Sequence, residues 1–313
     1  MLIHRHQRLG VPPVYSGPII DAHHHLWDYA LARHPWLRPG NATVTAIGGL
    51  EQLRRNFLPE DYRADFADEG IVGSVHIEAL WESSDLLGET IWLEGLDKSG
   101  GIAARYVAGA PLGSSSGAEI VRKQAAFKNV TGIRGILSHH PVKSELSFVA
   151  RGDLAYDEKW RGDVAVLHEA GLNLELMMYP YQAQAVSDLA RAFPDLQIII
   201  NHCGSPIDRD EEGMQRWRDG LALIARHPNI ALKISNVGAY DSEWSYESVK
   251  MVVEDCMKAF GYHRCMFGTD YPVSNLNMKP GNIFQNFRKA TSDAPLGCQE
   301  ALFYSNARKI YNF

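Results

Sequence analysis

Residues 19–28 read Ile-Ile-Asp-Ala-His-His-His-Leu-Trp-Asp. Two apolar residues lead into an acid and three consecutive histidines. Side chains alternate between the faces of an extended strand. Asp21, His23 and His25 are therefore expected on one face and His24 on the other. Two imidazoles at a strand end make half of a metal site or catalytic cluster. The other half must come from later strands.

Outward from this stretch, β-like runs recur at Gly73–Leu80, Ala104–Pro111, Val130–Leu137, Leu172–Tyr179, Leu196–His202, Ile230–Ser235 and Cys265–Thr269. Helical segments are expected between them: Leu50–Phe66 broken at Pro59, Ser83–Lys98, Ser115–Lys128, Glu158–Ala170, Gln182–Phe193, Asp210–Arg226 and Ser245–Phe260. Two more, Asn282–Thr291 and Gln299–Tyr311, close the chain. Several strands are continuous apolar runs, as when both faces of a parallel sheet are buried. Strands that each precede a helix, eight in all counting the first, predict an α/β fold of the TIM (β/α)8 barrel type. A doubly wound open sheet is the alternative, weakened because no Gly-rich dinucleotide turn follows the first strand. One domain over residues 19–313, preceded by an arm at 1–18, is the simplest organisation.

Composition narrows the function classes. Of the 313 residues 45% are hydrophobic and 22% charged, which is globular usage and argues against disorder. A net charge of −6 gives no support to nucleic-acid binding. Cys203, Cys256, Cys265 and Cys298 form no CxxC pair, so a thiolate zinc site or disulfide framework is not expected and a cytoplasmic location fits. Residues 1–18 hold no apolar run that would make a secretion signal, and no stretch is long enough to span a membrane. His4 and His6 repeat the HxH spacing but read as part of a solvated arm. The oligomeric state stays open.

In a barrel, active-site residues cluster at the C-terminal ends of strands. The first strand ends in His23 and His25, the second carries His76 and Glu78, and the fourth carries Arg134. His139, His140, Lys143 and Arg151 follow in the next loop. The fifth carries Glu175 and leads to Tyr179 and Tyr181; the sixth ends in Asn201-His202-Cys203-Gly204; the eighth ends in Thr269-Asp270-Tyr271-Pro272. His23, His25, His202 and Asp270 together suit a divalent metal, zinc foremost, with room for water. Glu78 is a candidate fifth ligand, or else the partner of Arg134. Without metal, the same imidazoles would polarise a carbonyl while Asp270 activates water. Asp270 and His202 are the candidate catalytic residues. Arg134, His139, His140, Trp27, Trp81 and Tyr179 are candidates for binding substrate, with Trp36 as a further aromatic wall.

HxH at the first strand, histidine at the sixth and aspartate at the eighth resemble the amidohydrolase superfamily. More narrowly, DAHHHLWD (21–28), HPWL (34–37), GIRGIL (132–137), INHCGSP (200–206), MFGTDYPV (266–273) and ALFYSNARKIYNF (301–313) resemble its lactonase branch. That branch includes 2-pyrone-4,6-dicarboxylate lactonase and the sugar-acid lactonases. The resemblance implies a TIM barrel that hydrolyses a cyclic ester of a sugar acid or dicarboxylic acid, in members that work with or without metal. Two departures argue against a binuclear site and against the related metal-dependent decarboxylases: no lysine lies in the fourth strand and no histidine in the fifth. Glu78 and Asn201 also depart, standing where the branch has a neutral amide and an acid. A non-oxidative decarboxylase and a non-catalytic barrel that binds a small acid are the rival expectations.

Overall fold

A computed structural model describes residues 13–41, 49–241 and 243–313; His4 and His6 lie outside the described residues. Eight parallel strands follow one another in the order β1 to β8. They are β1 (Ile19–His24), β2 (Ile71–Ile77), β3 (Arg105–Gly109), β4 (Val130–Ile136), β5 (Asn173–Met177), β6 (Ile198–Ile200), β7 (Ile230–Ile234) and β8 (Cys265–Phe267). A helix follows each strand: α1 (Pro59–Asp65), α2 (Gly88–Glu94), α3 (Gly117–Ala125), α4 (Glu158–Glu169), α5 (Ala183–Ala192), α6 (Glu211–Ile224), α7 (Tyr246–Phe260) and α8 (Pro280–Ala290). The expected (β/α)8 barrel is the observed fold. No helix among the described residues is long and apolar enough to cross a membrane.

The helices turn one stripe inward. On α7 the buried residues are Val249, Val252, Val253, Cys256 and Phe260, the spacing of one helical face. Its start is fixed by Ser245, whose Oγ accepts from the Ser248 amide. Helices α1 and α2 are shorter than the sequence suggests. Pro59 has no N–H to donate and is pre-set for a first helical turn, so the chain before it cannot run into α1 as one helix.

Alternate strand residues fill the barrel. Ile20, Ala22, Val75, Ile77, Val107, Ile199, Ala231 and Met266 pack together with Ala307 and Tyr311 of the C-terminal helix (Asn306–Tyr311). That helix plugs the barrel at the N-terminal end of the strands. Arg105 ties it down by donating to the Tyr311 and Asn312 carbonyls.

The seam between β8 and β1 closes just beyond β8. The Asp270 amide donates to the His23 carbonyl, and the His25 amide to the Tyr271 carbonyl, both at 2.7 Å. The buried Asp21 carboxylate reinforces it, accepting from Thr269 N (2.8 Å), Thr269 Oγ1 (2.6 Å) and the Tyr62 hydroxyl (2.7 Å). Gly268 makes the close approach feasible. A Cβ there would lie 2.7 Å from His23 Cβ and 2.9 Å from His23 N.

We expect Gly268→Ala to destabilise the protein by about 1–3 kcal/mol, because neither backbone can yield. Gly162→Ala, on α4 with nothing within 4 Å, serves as the control. It should be neutral or stabilise by up to about 1 kcal/mol. Urea unfolding of both variants checks this, and an unchanged midpoint for Gly268→Ala would sink the close-contact account.

Candidate active site

The closed seam sets the phase of the histidines. The β1–β2 register slips between Asp21 and His24. Ala22 faces the barrel interior, while Asp21 reaches outward to Tyr62 of α1. After the slip His23 and His25 both face Asp270, and His24 turns away to Ser74 Oγ at 2.9 Å. Asp21 therefore does not share a face with His23 and His25. The bulge breaks the alternation that simple strand geometry predicts.

Asp270 Oδ1 is the point of convergence. It lies 3.1 Å from His25 Nε2, 3.2 Å from His23 Nε2 and 3.9 Å from His202 Nε2. His25 Nδ1 meets the Ile77 carbonyl at 2.7 Å. A carbonyl only accepts, so the ring proton sits on Nδ1 and Nε2 keeps its lone pair. That lone pair faces a carboxylate oxygen. Two acceptors at this distance need a second proton or a cation between them. Neither ring nitrogen of the buried His23 makes a well-formed hydrogen bond.

Charge states agree with this geometry. Burial, then Lys233 and His202, hold His23 well below the usual imidazole range. Burial also pushes His202 down to about 4, against the pull of Asp270. Burial alone would raise the Asp270 carboxyl, but the facing imidazoles of His202, His23 and His25 hold it well below its usual range. At neutral pH these shifts keep Asp270 charged and His23 and His202 unprotonated. His23, His25 and Asp270 offer ligand atoms within 4.8 Å of one another, a nitrogen–oxygen set that fits one divalent cation. Around it, Ile77 holds His25 and Ser235 Oγ holds His202 Nδ1 at 3.0 Å. Such outer contacts fix ring orientation in metal sites.

The cluster floors a cleft between the strand ends. His25, His202 and Asp270 form its reactive side, and Trp36, Leu80, Ile136, Phe148, Met177 and Val273 its apolar walls. Arg134, Asn236 and Tyr240 add polar groups. Leu80, His202, Asn236 and Asp270 all hold positive φ, between 48° and 56°. This left-handed backbone costs non-glycine residues about 1–2 kcal/mol each and clusters at functional sites.

Several expected substrate contacts are elsewhere. Trp27 is sealed in the core, bridged to Phe57 and donating to the Arg55 carbonyl. Trp81 packs on His34 and Trp92, outside the cleft. Tyr179 is buried and donates to the Leu146 carbonyl. The His139 backbone is held by Gln182, and His140 and Lys143 bind Asp208 at 3.2 and 2.8 Å. These residues shape the loop that brings Phe148 to the cleft. Arg151 pairs with Asp157 at the surface. Trp36 and Arg134 do line the cleft.

Glu78 is not among the converging ligand atoms. Arg134 Nε donates to Glu78 Oε1 at 2.6 Å, and the Leu80 amide to Oε2 at 2.8 Å. Burial would raise the Glu78 carboxyl, but Arg134 and the Leu80 amide hold it below its usual value. Both oxygens are thus occupied. Ser235, Asn236 and Tyr240, after β7, are functional positions that the sequence reading missed. The available signal was a polar Ser-Asn pair ending an apolar strand, as Asn201-His202 ends β6.

A family model described as Amidohydrolase matches residues 20–313. The uncharacterized protein y4mH of Sinorhizobium fredii (strain NBRC 101917 / NGR234) is 31% identical over 293 residues, covering 94% of this chain and 98% of its own length. L-fucono-1,5-lactonase of Burkholderia multivorans (strain ATCC 17616 / 249) is 24% identical over 265 residues, covering 81% of this chain and 82% of its own. A crystal structure of an amidohydrolase from Burkholderia multivorans with bound zinc has a TM-score of 0.78 at 20% identity. That match covers 95% of this chain and 100% of the other and is a likeness of fold.

The Glu78–Arg134 pair should behave as one unit. Arg134→Met strands a buried carboxylate and is expected to cost about 3–5 kcal/mol. Arg134→Met with Glu78→Gln should cost less than the sum of the single changes, by about 1–3 kcal/mol. Urea unfolding of the wild type, both singles and the double completes the cycle; additive losses contradict the pairing.

Proposed function

The chain belongs to the amidohydrolase family, and from that premise we propose that this hydrolase opens a lactone ring with water activated by Asp270. One observation carries the reading. Asp270 Oδ1 is turned to the imidazoles, while Oδ2 accepts no hydrogen bond among the described residues and Asp270 lines the cleft. A carboxylate with one oxygen turned to the imidazoles and the other free suits a general base. The named lactonase relative supports the same class of reaction.

In this reading the ester carbonyl lies over His25, His202 and Asp270. Asp270 Oδ2 takes a proton as the water oxygen bonds to the carbonyl carbon. Collapse of the tetrahedral centre breaks the ring C–O bond. Asp270 then passes its proton to the departing alkoxide, giving a hydroxy acid that ionises and releases one proton to solution. The seam bond from the Asp270 amide to the His23 carbonyl holds Asp270 in place, and Ser235 fixes the His202 ring. A divalent ion, zinc by its donor set, is proposed to be held by His23, His25 and Asp270 with His202 beside them; when bound it supplies Lewis-acid stabilisation of developing negative charge. The face-to-face acceptors of His25 and Asp270 favour the metal-dependent form over the metal-free one.

A panel of γ- and δ-lactones scored by acid release tests the reaction. Turnover is expected on at least one, falling roughly 10²–10⁴-fold in Asp270→Asn. If no lactone releases acid while carboxylate substrates lose carbon dioxide, the reading is wrong. Zinc added to chelator-treated protein should also raise the melting temperature. The stabilisation should be about 2.7 kcal/mol at free zinc roughly a hundredfold above its dissociation constant. The doubly substituted His23→Ala, His25→Ala protein should lose that shift.

A further inference from the structure

We propose that the cleft selects an uncharged lactone with an apolar body, and that Glu78 is the residue that sets this choice. The inference rests on the lactonase reading above and narrows it to a substrate class.

The polar inventory of the cleft is short. His25, His202 and Asp270 belong to the reacting end. The remaining polar lining groups are Arg134, Asn236 and Tyr240. Trp36 offers only its ring, because its indole N–H donates to the Ala79 carbonyl at 2.7 Å. A polyhydroxylated ring would leave several hydroxyls against Leu80, Ile136, Phe148 and Val273 with no partner. Each such loss is costly in a buried site.

Among the described residues Arg134 is the lone cationic side chain of the lining, and it is already matched. Nε binds Glu78 Oε1 and Nη2 binds the Glu78 carbonyl at 2.7 Å. Both side chains are buried, so the pair enters the cleft as a neutral unit. The one guanidinium nitrogen left without a partner among the described residues is Nη1. Its two N–H groups can donate to a neutral oxygen of the substrate. A carboxylate there would gain a hydrogen bond but would also face the Glu78 charge across the guanidinium. Arg134 reaches from β4 to the end of β2, where the Glu78 carbonyl takes Nη2 and the neighbouring Ile77 carbonyl takes His25 Nδ1. The acceptor for Nη1 therefore lies close to the reacting ester, whose ring oxygen supplies it, and the apolar walls face the rest of the ring. An alkyl- or aryl-substituted γ- or δ-lactone meets these conditions. A polyol lactone and a carboxylated lactone do not.

The test compares γ-nonalactone, 4-carboxymethyl-γ-butyrolactone and D-glucono-1,5-lactone by catalysed acid release. We expect kcat/KM for the alkyl lactone to exceed the other two by at least about tenfold. In Glu78→Gln the guanidinium charge is no longer matched. The carboxymethyl-to-alkyl ratio should then rise by about tenfold or more. Melting temperature checks that the variant folds; if it does not, the wild-type ranking alone decides. Turnover of lactones led by the carboxymethyl or glucono substrate overturns this inference and leaves the lactonase reading standing. Absence of turnover on every lactone overturns both.

Discussion

The seam between β8 and β1 is the constraint on which the site depends. Closing a parallel barrel requires the last strand to meet the first, and here the closing hydrogen bonds come from the residues proposed to hold the metal. The Asp270 amide and the His23 carbonyl share one bond, and the His25 amide and the Tyr271 carbonyl the next. The side chains of Asp270, His23 and His25 are consequently placed by backbone geometry rather than by contacts of their own. That allows three groups that repel or ignore one another to sit within about 3 Å, as their distances show. Asp21 holds the outer side of the same seam and Gly268 leaves room for it. Fold and site share one set of bonds.

Beneath the cluster lies a second buried charge system. Lys233 Nζ donates to both Glu175 oxygens, at 2.8 and 2.6 Å, and Asn201 and Tyr311 donate to the same carboxylate. Burial lowers the Lys233 ammonium to about 8 against the pull of Glu175. A buried ion pair is weak evidence for stability, since desolvation can outweigh attraction. Its position offers another account. It links the C-terminal plug, through Tyr311, to the strand end that carries His202, through Asn201. It also puts a positive charge below His23, which disfavours protonation of that ring. An imidazole kept neutral can donate its lone pair to a cation.

The parts of the site that were legible in the sequence follow from strand order and period. His23, His25, His202 and Asp270 each end an apolar run, and a barrel brings all such ends to one mouth. The phase of Asp21 was not legible, because a register slip leaves no mark on the local pattern. Trp27, Trp81 and Tyr179 follow their strands more closely than Trp36 and Tyr240 follow theirs, yet only the latter two line the cleft. Distance along the chain does not say whether an aromatic ring turns towards the mouth or beneath the loops. His140 and Lys143 were read as substrate contacts because loop cations look unpartnered in sequence. Their partner, Asp208, lies beyond β6.

The same limit separates chemistry from specificity in this molecule. The proposed reacting groups are recognisable because each is unusual by itself at a strand end. Arg134 looked like an anion receptor for the same reason. Whether it can act as one depends on Glu78, two strands away, which no local pattern couples to it. The loop after β4 acts similarly: Asp208 gathers His140, Lys143 and Tyr181, and these contacts carry Phe148 to the cleft wall. Asp208 can serve as that hub because Lys143, Tyr181 and His140 outweigh its burial and lower its carboxyl to about 2, keeping it charged. Residues that the sequence offers as substrate ligands thus become the supports of an apolar wall. A barrel can keep its reacting groups fixed at the seam while such pairings change what the cleft admits.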